Sequence, residues 1–317
     1  MGLPLILLFS LSAIIFYNQY AIMHPEHREL EAYHYDWLNH PENHSITIQK
    51  GSTDSDIPYL IVTHDEKVTP SKRTKILRDQ LRVLGYTSES LQDNGILVMF
   101  HGKNGRKEDL LPVAERYATA GFTCILIDLP SHGENTHPLR YGQSFEEQHY
   151  AYTVLHTLQD KLHPHTKPIY FWGISLGGAF AISNTQIKTP YKPKALILLS
   201  TFDRLSSILQ NKSVDLFGET LGKVLYKGLS LSLESFYAFS PKDTDSAKHA
   251  SHIQLPVLIF HGEKDTLIPH QNGEKLYKAF ASKKKRFILD KKADHKNILI
   301  TDYPFYAESI DFLLKLP

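Results

Sequence analysis

Short apolar runs alternate along most of the chain with longer segments in which apolar residues recur every three or four positions. Several of the short runs are apolar throughout, which is typical of strands buried on both faces of a parallel sheet. The short runs predict eight strands, at residues 46–49, 59–63, 96–100, 123–128, 169–174, 195–199, 257–260 and 286–289. The longer segments predict helices at residues 71–84, 108–120, 145–162, 176–186 and 273–282. This alternation predicts an α/β fold with a doubly wound, mostly parallel sheet.

One long segment, residues 201–252, interrupts the alternation. Its apolar residues are mostly three or four positions apart, so it predicts at least two helices. It separates the predicted strands at 195–199 and 257–260, and we interpret it as a helical insertion into the sheet domain. The domain itself is predicted to occupy residues 45–317.

The N-terminal segment has a different character, because residues 3–17 are almost wholly apolar and no charged side chain precedes Glu26. The run is short for a bilayer core of ~30 Å, although residues 21–23 lengthen it. Neither Lys nor Arg precedes it, and no clear Ala-x-Ala cleavage site follows. We therefore favour an uncleaved signal-anchor over residues 1–23, ahead of a cleaved signal peptide and a buried helix. This predicts a single-pass membrane protein in which residues 24–44 form a polar linker.

Composition and charge limit the partners. Hydrophobic residues at 42% and charged residues at 22% are ordinary for a globular domain. The net charge of +1 provides no basic excess for nucleic acid, so none is predicted as a partner. The single cysteine, Cys124, excludes an internal disulfide and lies in an apolar run, which predicts a buried thiol. The 18 histidines lack the spacing of a zinc site, and we predict neither a metal nor an organic cofactor.

The strongest local motif is Gly173-Ile174-Ser175-Leu176-Gly177, which follows a predicted strand and precedes a predicted helix. A nucleophilic serine in this context occupies a tight strand-to-helix turn, with room only for glycine two positions before and after it. The helix N-terminus beside it favours developing negative charge. The motif therefore predicts that Ser175 is a catalytic nucleophile.

A serine nucleophile needs a base, and the base needs an acid that orients it. In this architecture both follow later strands, in the order serine, acid, histidine. Asp265 follows the predicted strand at 257–260, and His295 follows the one at 286–289, so we predict them as acid and base. Glu263 and Asp203 remain alternatives for the acid.

Acyl transfer also needs donors for the tetrahedral oxyanion. The backbone N–H of Leu176, directly after the serine, is the first predicted donor. The second should lie in a loop after an early strand, and the strand at 96–100 leads into His101-Gly102-Lys103-Asn104-Gly105. We assign the second donor to the backbone of Lys103; a glycine turn without this role is the alternative.

Together these pieces resemble the α/β-hydrolase superfamily, and within it the serine hydrolases grouped with monoacylglycerol lipases, esterases and serine aminopeptidases. The resemblance runs from about residue 94 to the C-terminus. It rests on the loop at 101–102, the motifs at 128–133 and 173–177, the phrase at 256–269, and His295. Ser131 and Asn135 depart from the common pattern, which has glycine and serine at these positions.

The resemblance implies that residues 201–252 lie where relatives have a lid, and that a small acyl compound is the substrate. We expect hydrolysis of an ester, with a lipidic or hydrophobic acyl group favoured by the apolar insertion and the expected membrane anchor. A serine peptidase or aminopeptidase and a thioesterase are the enzymatic alternatives. An inactive, membrane-tethered hydrolase-fold binding protein is the non-enzymatic one.

Overall fold

The fold is taken from a computed structural model of the chain. The structure describes residues 2–139, 145–301 and 303–317, with side chains from residue 10 and, after the first gap, from residue 149. One sheet of eight strands forms its centre, in the order β1-β2-β4-β3-β5-β6-β7-β8. Its strands are β1 (Ile46–Ser52), β2 (Pro58–His64), β3 (Gly95–Phe100), β4 (Phe122–Ile127), β5 (Ile169–Ile174), β6 (Pro193–Leu199), β7 (Val257–Gly262) and β8 (Lys285–Asp290).

Only β2 runs against its neighbours β1 and β4, and the pairs from β4 to β8 are all parallel. The central parallel strands are the most apolar, and every residue of β3 is buried, whereas the edge strand β8 is only partly buried. In a parallel sheet with both faces covered, strands show such unbroken apolar runs. The predicted α/β class with a mostly parallel sheet is therefore confirmed.

Helices cover both faces of the sheet. One core layer lies against α3 (Lys72–Val83), α4 (Leu111–Thr119) and α12 (Phe305–Leu314). The other lies against α5 (Phe145–Thr157), α7 (Leu176–Asn184) and α11 (Gln271–Ala279). The remaining helices are α1 (Gly2–Met23), α2 (Ala32–Asn39), α6 (Gln159–Leu162), α8 (Leu205–Phe217), α9 (Glu219–Tyr237) and α10 (Ser246–Ala250).

The insertion between β6 and β7 contains α8, α9 and α10. Gly218 joins α8 to α9 with φ +77°, a left-handed conformation that favours glycine. Leu229 and Leu233 bury one side of α9 in the core, whereas Val224 and Phe236 are exposed. The predicted helices are present in this segment, and its role as a lid stays a prediction.

The prediction of a single-pass N-terminal membrane anchor is wrong. Among the residues that the structure describes, none of the helices combines the length and the apolar content needed to cross a bilayer. The apolar run of α1 ends at Asn18 and Gln19, and Gln19 is buried against Ser232 of α9, with which it forms a hydrogen bond. Ile22 and Met23 belong to the main core. The second half of α1 is thus part of the domain surface, packed on α9.

The segment at 24–44, expected to be a polar linker, contains α2. His34 and Trp37 of this helix are buried, and Trp37 stacks on His44 with ring centroids 3.6 Å apart. Trp37 therefore packs on the domain, whereas Tyr33 and Tyr35 are exposed.

Candidate active site

Ser175 lies at the sharp turn between β5 and α7. Its backbone has φ 55° and ψ −119°, a strained conformation for a residue with a side chain. A Cβ on Gly173 would lie 2.3 Å from the carbonyl oxygen of Gly177, and a Cβ on Gly177 would lie 2.1 Å from that of Phe100. Side chains are excluded at both positions, which explains the glycines of the predicted motif.

The surroundings of Ser175 suit a nucleophile. Its backbone N–H donates to Leu199 at 2.8 Å, which ties the turn to β6. Leu176 is the first residue of α7, so its N–H belongs to the first turn, where helix N–H groups lack partners within the helix. The helix dipole places partial positive charge at the same point. An anion that forms on a substrate at Ser175 would be stabilised there.

Asp265 and His295 are brought together from the ends of β7 and β8. His295 Nδ1 lies 2.7 Å from Asp265 Oδ2, and the Asp265 side chain is fully buried. Burial alone would raise the pKa of Asp265, but the hydrogen bond and charge of His295 outweigh it and lower that pKa. Asp265 is therefore ionised and fixes the orientation of the imidazole.

The loop that carries Asp265 is held by its own backbone and by a second histidine. Asp265 Oδ1 accepts from the N–H groups of Leu267 and Ile268, at 3.0 and 2.8 Å. The carbonyl oxygen of Ile268 lies 2.8 Å from Nε2 of His261, which is fully buried at the end of β7. A role for His261 was not predicted from the sequence, although its position at the end of a buried strand was an available signal.

The alternative acids occupy other environments. Glu263 is exposed to solvent. Asp203 Oδ2 lies 3.8 Å from Lys275 Nζ. Among the described side chains, Asp265 is the carboxylate hydrogen-bonded to His295.

The predicted oxyanion loop lies beside the serine, since a Cβ on Gly102 would be 3.5 Å from Ser175 Cβ. His101 is buried and Nε2 accepts from the N–H of Leu129 at 3.1 Å, so Nδ1 carries the hydrogen and donates to Gly102 O at 2.7 Å. Burial lowers the pKa of His101 and keeps the ring neutral. His101 thereby fixes the loop that contains Lys103, whose backbone follows Gly102 directly.

A buried ionic cluster anchors the far end of this loop. Lys107 Nζ is fully buried and lies 2.8 Å from Asp128, 2.7 Å from Glu134 and 3.0 Å from Glu108. The backbone N–H of Lys107 also donates to Asp128 at 2.7 Å. The carboxylates raise the pKa of Lys107 although burial acts against them. The cluster joins the loops after β3 and β4. Lys107 was not predicted from the sequence, because it stands among polar residues.

The N-terminal segment contacts the same loop through Asp109. Its Oδ1 lies 2.7 Å from Tyr33 Oη and 2.8 Å from Nε2 of the buried His34, and Arg28 lies 3.3 Å from Oδ2. Arg106 donates to the carbonyl oxygen of Arg28 at 2.8 Å. These contacts join residues about eighty positions apart, for which the sequence carries no local signal.

A comparison with known protein families agrees with this combination of sheet order, serine turn and acid–histidine pair. The chain matches the sequence profile described as serine aminopeptidase, S33, over residues 92–242 and 231–299. The chain belongs to the serine aminopeptidase S33 family. Membership confirms the predicted resemblance to the α/β-hydrolases and the prediction that the chain is a hydrolase. The family profile covers the serine turn, Asp265 and His295.

Two related proteins and one solved structure are similar to this S33 family member. Protein bem46 of Schizosaccharomyces pombe is 27% identical over 250 residues, which are 78% of this chain and 76% of that protein. Lysophosphatidylserine lipase ABHD12 of Danio rerio is 26% identical over 210 residues, covering 63% of this chain and 50% of the lipase. The chain thus spans about half the length of that lipase. The Pyrococcus furiosus esterase Pf2001 has the same fold, with a TM-score of 0.63, 15% identity, and coverage of 93% and 98%.

Proposed function

We propose that the chain hydrolyses a carboxylic ester with a hydrophobic acyl group through an acyl-enzyme on Ser175. The observation that carries the proposal is the 2.7 Å contact between Asp265 and His295, because this pair is the orienting acid and base that a serine nucleophile requires. Both residues follow parallel strands of the sheet that also carries Ser175, and parallel strands that end at one edge bring such residues together.

In the proposed reaction, His295 Nε2 accepts the Ser175 proton while Oγ attacks the ester carbonyl. Asp265 holds the Nδ1 hydrogen and stabilises the imidazolium that forms. His295 then gives the proton to the leaving alcohol, and the acyl group remains on Ser175. Water, deprotonated by His295, attacks the acyl-enzyme, and collapse of the second tetrahedral intermediate releases the acid and restores the serine hydroxyl.

The backbone N–H groups of Leu176 and Lys103 are the proposed donors to the oxyanion. Support comes from the position of Leu176 in the first turn of α7 and from the position of Gly102 beside Ser175. Loss of one such donor costs about 3 kcal/mol of transition-state stabilisation, so the loop after β3 must be held rigidly. The bonds of His101 and Lys107 supply that rigidity.

The preference for an apolar acyl group rests on the cavity between α1, α8 and α9, whose wall is mainly aliphatic. The activities named for two similar proteins, a lipase and an esterase, agree with an ester substrate. The family description, serine aminopeptidase, provides the competing activity, in which the acyl group carries a free amine.

A substrate panel tests the proposal. Purified protein is assayed with p-nitrophenyl esters from acetate to dodecanoate and with aminoacyl p-nitroanilides, and kcat/KM is compared between the wild type and Ser175→Ala. We expect ester hydrolysis that increases with chain length and is lost in the variant. Faster cleavage of the anilides would replace the esterase by an aminopeptidase, and turnover of neither group would favour a binding protein.

A further inference from the structure

The proposed oxyanion loop is bonded to residues 21–34, which run from the last turn of α1 to the first turn of α2 and which we call the N-terminal strap. Lys103 Nζ donates to the carbonyl oxygen of Ala21 at 2.9 Å, and the side-chain oxygen of Asn104 accepts from the backbone N–H of Glu26 at 3.3 Å. Lys103 and Asn104 are exposed, so the strap rather than the core supplies these contacts. Asn104 has φ 58°, a left-handed conformation that asparagine tolerates better than most residues. The strap therefore braces the exposed part of the loop.

Asp109 joins the same strap to the residue that follows the loop. Its Oδ2 accepts from the backbone N–H of Arg106 at 2.9 Å. From the strap, Tyr33 Oη and Nε2 of the buried His34 lie 2.7 and 2.8 Å from Oδ1, and Arg28 lies 3.3 Å from Oδ2. Burial would raise the pKa of Asp109, but the hydrogen bonds from Tyr33 and His34 outweigh it and lower that pKa. Asp109 is therefore ionised, and its hydrogen bonds to the strap and to Arg106 are charge-assisted.

The first residues of the loop are held in a different way. His101 Nδ1 donates to the carbonyl oxygen of Gly102 at 2.7 Å, and the N–H of Gly105 donates to the same oxygen at 3.1 Å. Lys103 thus lies between Gly102, which is fixed by a buried histidine, and Asn104, which is bound to the strap. An oxyanion donor acts at about 2.7–3.1 Å, so a small displacement of the Lys103 N–H weakens it. The position of this donor depends on both supports.

We propose that the N-terminal strap is a positioning element of the ester hydrolase, which holds the backbone N–H of Lys103 at the distance that the developing oxyanion requires. Asp109 is its main positioning residue, since the strap and the end of the loop both bond to its carboxylate. Neither the strap nor Asp109 takes part in proton transfer. The inference rests on the proposed ester hydrolase activity through Ser175. The competing role is a purely structural one, in which the same bonds stabilise the fold and leave the oxyanion donor unaffected.

Substitutions that separate the strap from Asp109 test this role. Asp109→Ala removes the carboxylate, and Arg28→Met combined with Tyr33→Phe removes two of its partners. Tyr33 is exposed and Arg28 partly exposed, so the double variant leaves the core intact. We expect Asp109→Ala to lower kcat for p-nitrophenyl octanoate about 30-fold, less than the roughly 10²–10³-fold effect of losing a donor outright. The double variant should lower kcat about fivefold, because Asp109 keeps its bonds to His34 and Arg106. In each variant KM should stay within about twofold, since a donor used only in the transition state changes kcat rather than KM.

Decyl trifluoromethyl ketone reports on the oxyanion donor directly. The hydroxyl oxygen of Ser175 adds to its carbonyl carbon, the hydroxyl proton passes to His295, and the ketone oxygen becomes the oxyanion. Because this adduct resembles the transition state, its inhibition constant should rise in each variant by the same factor as kcat/KM falls. The acid limb of the pH profile of kcat/KM, which reports on the base, should keep its position. A purely structural role would lower the melting temperature and leave the inhibition constant of the folded variants unchanged.

Two further variants are controls. Asp36 lies in α2 just beyond the strap, and its exposed carboxylate pairs with His44 at 3.0 Å. Asp36→Asn should therefore leave kcat and the inhibition constant within about twofold of wild type. Arg28→Lys retains the charge beside Asp109 and should retain most of the wild-type kcat.

A double variant with wild-type kcat and inhibition constant would overturn the inference, as would a fall in kcat that the inhibition constant does not follow. If Asp109→Ala does not fold, the double variant decides alone. In these cases ester hydrolysis by the wild type with a Ser175 requirement would leave the proposed ester hydrolase intact. Absence of wild-type hydrolysis of every p-nitrophenyl ester would instead refute the proposed function together with the inference.

Discussion

Substitution of Asp265 by asparagine provides a sharp prediction, because the structure determines how the amide must lie. Asp265 Oδ1 accepts two backbone N–H groups, from Leu267 and Ile268. The amide oxygen of the introduced asparagine will therefore take this place, since the reverse orientation would set its NH₂ group against two donors. Each unpaired buried donor costs about 1–3 kcal/mol. The NH₂ group is left at the position of Oδ2, 2.7 Å from His295 Nδ1.

An amide NH₂ is a donor only, so His295 Nδ1 must accept its hydrogen bond. The ring hydrogen then resides on Nε2, where the mechanism requires a lone pair to accept the Ser175 proton. The equivalent substitution in a serine-protease triad lowers kcat about 10⁴-fold through this tautomer change. At about 1.36 kcal/mol per tenfold change, the expected loss of transition-state stabilisation is about 5.4 kcal/mol.

The assay is kcat for p-nitrophenyl esters in wild type and Asp265→Asn, with thermal unfolding measured in parallel to show that the variant is folded. Asp294→Asn is the matched control, because this neighbouring carboxylate accepts the N–H groups of Lys296 and Asn297. The control should retain activity within about threefold. The reasoning is refuted if Asp265→Asn keeps more than a tenth of wild-type kcat, and especially if Asp203→Asn loses activity in its place.

Three further predictions concern the framework of the site. Gly177→Ala places a Cβ 2.1 Å from the carbonyl oxygen of Phe100, so we expect a loss of more than about 2 kcal/mol in unfolding free energy, together with loss of esterase activity. Lys107→Met leaves Asp128 buried without its cation and should cost about 3–5 kcal/mol by urea unfolding. Partial burial would raise the pKa of Glu134, but hydrogen bonds to lysines lower it to about 2. Because the unfolded pKa is about 4.3, the ionised carboxylate stabilises the fold above that pH, and the advantage of wild type over Glu134→Gln should disappear as pH falls from about 4.5 to 2.

The first two of these predictions have control variants, and the third has a pH dependence that would refute it. A Cβ on Gly102 would meet Ser175 Cβ at 3.5 Å and the carbonyl oxygen of Ile174 at 3.7 Å, both ordinary contact distances, so Gly102→Ala should leave the unfolding free energy nearly unchanged. Lys50→Met removes an exposed partner of Glu134 and should cost at most about 1 kcal/mol. Equal losses for Lys50→Met and Lys107→Met would contradict the importance of burial. A constant difference between wild type and Glu134→Gln from pH 7 to 2 would contradict the depressed pKa.

The parallel strands were predictable because their burial on both faces imposes an unbroken apolar run. The polar end of β1 was not predictable from the sequence, because Lys50, Gly51 and Ser52 continue the strand only through pairing with β2. This pairing depends on tertiary context, which outweighs intrinsic strand propensity. The predicted helix at 108–120 begins as a 3₁₀ turn, and α4 proper starts at Leu111 with a proline in its first turn.

Helices that depend on tertiary packing were missed. The helix α12 is a short segment after Pro304, and its buried residues Phe305, Ile310 and Leu313 are stabilised by packing on the sheet. The N-terminal apolar run was misinterpreted as a membrane anchor because apolar character alone does not distinguish a bilayer from a helix partner. The partner α9 lies about two hundred residues away.

Residues of the candidate site were predictable where they lie in the turn or loop that follows a strand, as Ser175, Asp265 and His295 do. Their catalytic roles stay predictions, although the contact between Asp265 and His295 agrees with them. Lys107 could not be identified, because two of its carboxylate partners, Asp128 and Glu134, come from a different loop. His34 is a similar case, since its partner Asp109 lies far along the chain.

The most direct test of the central claim is the site of covalent labelling by a fluorophosphonate, read by mass spectrometry of the folded protein. The account predicts one added phosphonyl group, located on Ser175, with slow labelling in His295→Ala and none in Ser175→Ala. Labelling at another residue, or folded wild type that does not react at all, would contradict the assignment of Ser175 as the nucleophile.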